Sequence, residues 1–180
     1  MENTTSPAKS GLVYGLLFGA IMILEFVIGY VMNIDPTTNK GYGITINLLN
    51  YLIFPFGFIF YGCNNYKMKL NSGFISFGNC LKIGVSICVI AGLLFALFSA
   101  TFNMIFPEYM EGVYRKVEIL MSQTNPQITE EQAKMGISMM KKFSSPAFAI
   151  PITLVMFAFI GLIHSLIVGA IVKKDPNQSF

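Results

Sequence analysis

Four long apolar stretches bounded by polar residues dominate the chain: Gly11 to Met32, Ile44 to Tyr61, Cys80 to Met104 and Ala147 to Val172. A bilayer core about 30 Å thick is crossed by roughly 20 helical residues, so each stretch has, or comes close to, the length of a span. The second is the shortest. It has Asn47 and Asn50 near its start and contains Pro55, which predicts a kink, a tilt or an extension to about Asn64. Lys9 ahead of the first stretch gives it a likeness to a signal peptide, but Glu25 interrupts it and no small-residue cleavage site follows in a polar region. A retained anchor is expected.

Between the third and fourth stretches the pattern becomes amphipathic. Met110, Val113, Tyr114, Val117, Leu120 and Met121 recur at the spacing of one helical face, with Glu111, Arg115, Lys116 and Glu118 elsewhere. Asn125-Pro126 breaks that helix, and Thr129 with Gln132 three residues later forms a capping box that opens a second one, running to about Phe143. Ala133, Ile137, Met140 and Gly136 supply its apolar face. The pattern predicts an all-α integral membrane four-helix bundle, a single membrane domain over residues 1-180, with an extramembrane helical hairpin at about 107-146 between spans three and four. The hairpin either folds over the bundle mouth or lies on the membrane surface; alternatively Met135, Met139 and Met140 make it an adaptable docking surface.

Composition agrees. With 54% hydrophobic and 12% charged residues and a mean hydropathy of +0.62, the chain is too apolar for a soluble domain of 180 residues. The net charge of +3 comes from a few basic residues, mostly lysines at the ends of apolar runs, rather than from a basic face, which argues against nucleic-acid binding. Cys63, Cys80 and Cys88 form no CxxC pattern and have no histidine at ligand spacing, so reduced, structural thiols are expected, with no metal and no cofactor. In a four-span arrangement Lys9, Lys67 with Lys69, and Lys173 with Lys174 fall on one side, whereas the loop from Asn33 to Gly43 carries only Lys40, offset by Asp35. The positive-inside rule then predicts that both termini are cytoplasmic.

One ionisable group lies deep in a span. Glu25 is the single charge between Gly11 and Met32, and a charged, unpaired carboxylate at that depth costs several kcal/mol, so it must be neutral, paired or facing water. At 1.5 Å per residue it lies roughly 20 Å from the cytoplasmic end of its helix. Lys82, one turn into the third span from the same side, is too far away to pair with it. Asn47, Asn50, Ser99, Thr101 and Thr153 are at its depth. On a helical wheel Glu25 falls within about 40° of Gly11 and Gly29, toward neighbouring helices. It is either a core acid hydrogen-bonded to an asparagine or a proton or cation site. A second candidate cluster comprises Lys82, His164 and Ser165, with Ser86 in the same half of the third span. The ordinary expectation is that Lys82 snorkels to headgroups and that His164, the only histidine, is a hydrogen-bonded core residue. No acid/base pair, nucleophile elbow, HExxH or phosphate-binding loop appears, so no catalytic residue is named and an enzyme is not expected.

Small residues repeat every four positions in three spans: Gly11, Gly15 and Gly19; Gly92, Ala96 and Ala100; Gly161, Ser165 and Gly169. Such stripes let helix backbones approach closely in lipid. The first and third of these stripes are matched in depth on antiparallel helices, predicting close contact of spans one and four or, equally, a homodimer seam.

The string Met139-Met140-Lys141-Lys142-Phe143-Ser144-Ser145-Pro146, followed by an apolar span with Ile160-Gly161-Leu162-Ile163 and the ending Ile171-Val172-Lys173-Lys174, resembles an uncharacterised bacterial membrane-protein family, domain-of-unknown-function family 4199. The likeness takes in Ser76-Phe77-Gly78, Lys82 and the glutamate-rich loop, and covers roughly residues 10 to 174. It implies a four-helix inner-membrane protein and supplies no activity or ligand residues. Two functions follow from the residues: a non-catalytic structural or assembly subunit, joining itself or a membrane-protein partner, or a small proton- or cation-coupled transporter using Glu25. Small multidrug exporters also place one glutamate in the first of four helices, but they rely on tryptophan, which this chain lacks.

Overall fold

The computed structural model describes residues 6–34, 39–124 and 127–175. Asp35 and the Asn125-Pro126 break lie outside the described residues. Among the described residues four helices are long and apolar enough to cross a membrane: the first span Pro7–Val31, the second Lys40–Leu70, the third Phe77–Ile105 and the fourth Pro146–Val172. The protein is all-helical apart from one isolated bridge, Ile75 to Lys174, among the described residues.

The spans outrun their apolar cores for local reasons. The first begins at Pro7 because Ser6 caps it, accepting a hydrogen bond from the Lys9 N–H, and proline fits the first helical position. The second passes Pro55 without ending. A π-helical stretch, Leu49–Ile53, carries the Phe54 N–H to the Leu49 carbonyl five residues back, and Pro55 then enters in the first turn of the α-helix Phe54–Asn65, where a missing N–H is tolerated. The helix runs on past Asn64 through a second π-helical stretch, Tyr66–Leu70, and stops at Ser72 and Gly73, both at positive φ (50° and 87°).

The described residues up to Phe95, with those from Leu154 onward, form one compact unit; Ala96–Thr153 form a second. In the first unit, Phe18, Ile59, Ile83, Ile87, Cys88, Ala91, Phe157 and Val168 make a buried core. Phe18 stacks on Phe58 at 5.4 Å between ring centroids and meets Phe157 at 6.3 Å. The third span is the hub. A Cβ added at Gly15 would stand 2.8 Å from the Ile87 carbonyl oxygen, and those at Gly11 and Gly19 would meet the Ile83 and Ala91 carbonyls at 3.0 and 3.1 Å. A Cβ at Gly161 would stand 2.8 Å from the Gly84 carbonyl and 2.9 Å from Val85 Cα, and one at Gly169 would meet the Phe77 ring at 3.0 Å.

The expected seam between spans one and four is therefore corrected: these stripes find their nearest neighbours on span three. Ile83, Ile87 and Ala91 form one row along that helix and Gly84 with Cys88 the next, so the two seams sit about 100° apart around it. A small-residue stripe specifies a close approach and leaves its partner open.

A polar clasp closes one end of this unit. Ile75 and Lys174 exchange both backbone hydrogen bonds, at 3.0 and 2.9 Å, and Lys67 Nζ donates to the Val172 carbonyl at 2.9 Å, satisfying a carbonyl at the end of the fourth span. Lys67 and Lys174 thus meet at the same end, as the charge pattern predicts.

The second unit contains the helical hairpin, Pro107–Thr124 and Glu130–Ser144. Its capping box forms as the spacing predicts: the Gln132 N–H donates to Thr129 Oγ1 at 3.3 Å, and the Thr129 N–H donates to Gln132 Oε1 at 3.0 Å. Tyr114, Ala133 and Ile137 are buried, and Met121 reaches toward Gly136. Lys141 donates to both carboxylate oxygens of Glu111, at 2.9 and 3.1 Å, and lies over the Tyr114 ring. Leu120, expected on the inner face, is exposed.

Candidate functional site

Along the first span the side facing other helices changes character. Gly11, Gly15 and Gly19 lie against the third span; further on, Glu25 and Gly29 meet the second. Glu25 is half-buried, and its Oε2 accepts a hydrogen bond of 2.7 Å from Asn50 Nδ2. Asn50 is only 7% exposed and sits within the π-helical stretch. Such one-turn widenings recur at functional sites. The Asn50 side-chain oxygen, Oδ1, has no hydrogen-bond partner among the described residues. Tyr42, at the start of the same span, donates its hydroxyl proton to the Glu25 backbone carbonyl at 3.4 Å and fills the notch over Gly29, where a Cβ would come within 2.5 Å of the hydroxyl oxygen.

Of the residues grouped by depth, Glu25 and Asn50 come together. Asn47 does not join them: three residues before Asn50, its side chain is exposed. Ser99, Thr101 and Thr153 belong to the second unit, where the Thr101 hydroxyl donates to the Leu97 carbonyl of its own helix.

The second candidate cluster is not assembled. Lys82 is exposed and lines an open, mostly apolar groove of about 480 Å³ with Ala8, Leu81, Val85, Ser86 and Val89. Ser86 turns to the first span, donating to the Ala8 carbonyl at 2.8 Å. His164 and Ser165 are buried on the fourth span: His164 Nδ1 lies 2.8 Å from the Ile160 carbonyl, and the Ser165 hydroxyl donates to the Gly161 carbonyl. Ser165 also occupies the space a side chain at Gly84 would need. Lys82 and Ser86 thus share one face of the third span while Ser165 presses on another at Gly84, because Gly84 is two residues, a turn of about 200°, from each. The arrangement offers no convergent acid and base. Among the described residues no group of three or more His, Cys, Asp or Glu side chains is placed to hold a metal ion.

Tyr42 and Gly84 carry contacts that residue patterns did not reveal. Gly84 could have been found by carrying the stripe Gly92, Ala96, Ala100 backwards through Cys88, since 84, 88 and 92 keep its spacing.

The family model described as "Protein of unknown function (DUF4199)" matches residues 13–174. The chain belongs to that family. No curated protein and no solved structure matches it. Membership of DUF4199 agrees with the likeness seen in the sequence and assigns no activity to any residue. The Glu25–Asn50 pair of this DUF4199 protein therefore rests on its own geometry.

Proposed function

We propose that this protein is a non-catalytic membrane subunit, lodged in a bacterial inner membrane with both termini cytoplasmic, that assembles through its helical hairpin with a membrane-protein partner or a second copy. One observation carries the reading. The hairpin closes its own core with Tyr114, Ala133 and Ile137, yet Ile119, Leu120, Met135, Met139 and Phe143 remain exposed. Exposed apolar groups of this kind, methionines above all, suit association. The glycine stripes are already engaged against the third span, which leaves the hairpin as the better candidate for contact with another chain. The meeting of Lys67 and Lys174 at one end supports the orientation.

Cysteines placed at Met135 and Met139 and crosslinked in native membranes test it. A discrete adduct, lost when Leu120 is replaced by glutamate, is the expected result; a strictly monomeric protein that crosslinks to nothing refutes it.

A second reading, a small proton- or cation-coupled transporter, is favoured by the half-buried Glu25 and the unpartnered Asn50 oxygen. It requires flux in proteoliposomes that Glu25→Gln abolishes.

A further inference from the structure

We propose that Glu25 and Asn50 form an intramembrane proton-binding site, in which the proton resides on the Glu25 carboxyl group and is donated to Asn50 Oδ1. The assignment rests on neither functional reading, since a held proton serves a structural bundle and an exchanging one serves a transporter.

The hydrogen-bond inventory leads to it. An ionised carboxylate only accepts, so it can receive the Asn50 amide proton but offers nothing to Oδ1. That oxygen is buried, and among the described residues nothing donates to it. A protonated carboxyl group has one O–H. Set against a primary amide, it forms a reciprocal pair, with the amide N–H given to one carboxyl oxygen and the carboxyl O–H given to the amide oxygen. A single proton then removes a charge from membrane depth and satisfies the orphaned acceptor.

The surroundings favour a proton over a metal cation. One carboxyl oxygen is already taken by the Asn50 amide, and a proton needs only the one further acceptor that Oδ1 provides. From the second span the neighbours are Asn50 and Tyr42, and the Tyr42 hydroxyl is directed to the Glu25 backbone. From the third span Leu94 and Phe95 lie on Gly19 and Phe26, and from the fourth Phe157 lies on Phe18; none of these side chains carries a charge. The π-helical stretch shapes the pair from the other side. Pro55 has no N–H to give the Asn50 carbonyl in the π register or the Tyr51 carbonyl in the α register, so Asn50 lies where the regular helical ladder is interrupted.

The full-length protein in lipid nanodiscs provides the test. Infrared spectra at neutral pH should show a carboxylic-acid C=O band that disappears in Glu25→Gln, shifts in Asn50→Leu, and is unmoved by sodium or potassium. Should either variant fail to fold, wild-type protein treated with the apolar reagent dicyclohexylcarbodiimide, which modifies protonated carboxyl groups, still decides the matter. An adduct on the peptide containing Glu25, undiminished by either cation, is expected. Absence of both the acid band and the adduct would mean an ionised Glu25 and overturn the proposal. Loss of the adduct on adding sodium or potassium would overturn it too, in favour of a cation site.

Discussion

The first span meets its neighbours in two ways within one helix. From Gly11 to Gly19 it presses on the third span, with glycines whose missing side chains admit the Ile83, Ile87 and Ala91 carbonyls and the roots of the Ile90 and Leu94 side chains. From Glu25 to Gly29 it meets the second span through side chains: Asn50 on the carboxyl group and the Tyr42 hydroxyl over Gly29. The first contact is set by rigid atoms and the second by groups that rotate, so the same added methyl group should cost very different amounts along one helix. In lipid, where apolar side chains gain little by leaving the solvent, close fit and hydrogen bonds are what remain to hold helices together.

The largest effect is expected at Gly15→Ala. The new Cβ would lie 2.8 Å from the Ile87 carbonyl oxygen and 2.8 Å from Ile90 Cβ, one a backbone atom and the other fixed directly to the backbone, so relief requires the spans to separate. Overpacking of this kind costs about 1–3 kcal/mol. Denaturation of detergent-solubilised protein should show a loss in that range, and Gly161→Ala, facing the Gly84 carbonyl and Val85 Cα, should match it. Wild-type stability in both variants would mean the seams are looser than the geometry requires.

A smaller effect is expected at Gly29→Ala. Here the obstacle is the Tyr42 hydroxyl, the end of a side chain that can swing away, with a loss of 3.4 Å hydrogen bonding to the Glu25 carbonyl. The cost should stay below about 1 kcal/mol, in the range of one net hydrogen bond. Removing the obstructing oxygen with Tyr42→Phe should make the methyl group tolerable, so the double variant should be more stable than the sum of the single changes. Strict additivity would place Tyr42 away from Gly29.

What the residue order disclosed, and what it hid, follows the same division. The spans and the hairpin were legible because apolar length and a capping box are local signals: Thr129 and Gln132 need only each other. The true ends were harder. Lys67 and Lys69 look like a loop after Tyr61, yet the helix continues to Leu70 and Lys67 is spent on the Val172 carbonyl, a partner 105 residues away. Depth counting selected Asn50 along with Asn47, but choosing between them depends on azimuth within a helix whose π-helical stretch breaks the ordinary 100° count. The glycine stripes announced close approach, while the identity of the approaching helix was a tertiary fact. Lys82 shares a depth with the buried His164 and Ser165 but lies exposed on another face of the third span, because depth along a helix says little about the face.

The smallest effect, and the one that isolates the cause, is expected at Gly57→Ala in the second span. Nothing lies within 4 Å of the position its Cβ would take. The residue is in the same kind of helix as Gly15 and Gly29 and receives the same methyl group, so whatever glycine contributes through backbone freedom alone is common to all three. With no neighbour to displace, only the helix-propensity gain of alanine over glycine is left, a stabilisation of about 0.5–1 kcal/mol. A change of sign between Gly15 and Gly57, with Gly29 between them, would show that the cost tracks the rigidity of the neighbouring atom. A uniform loss at all three would instead trace it to glycine's place in the helix and dissolve the distinction between the two halves of the first span.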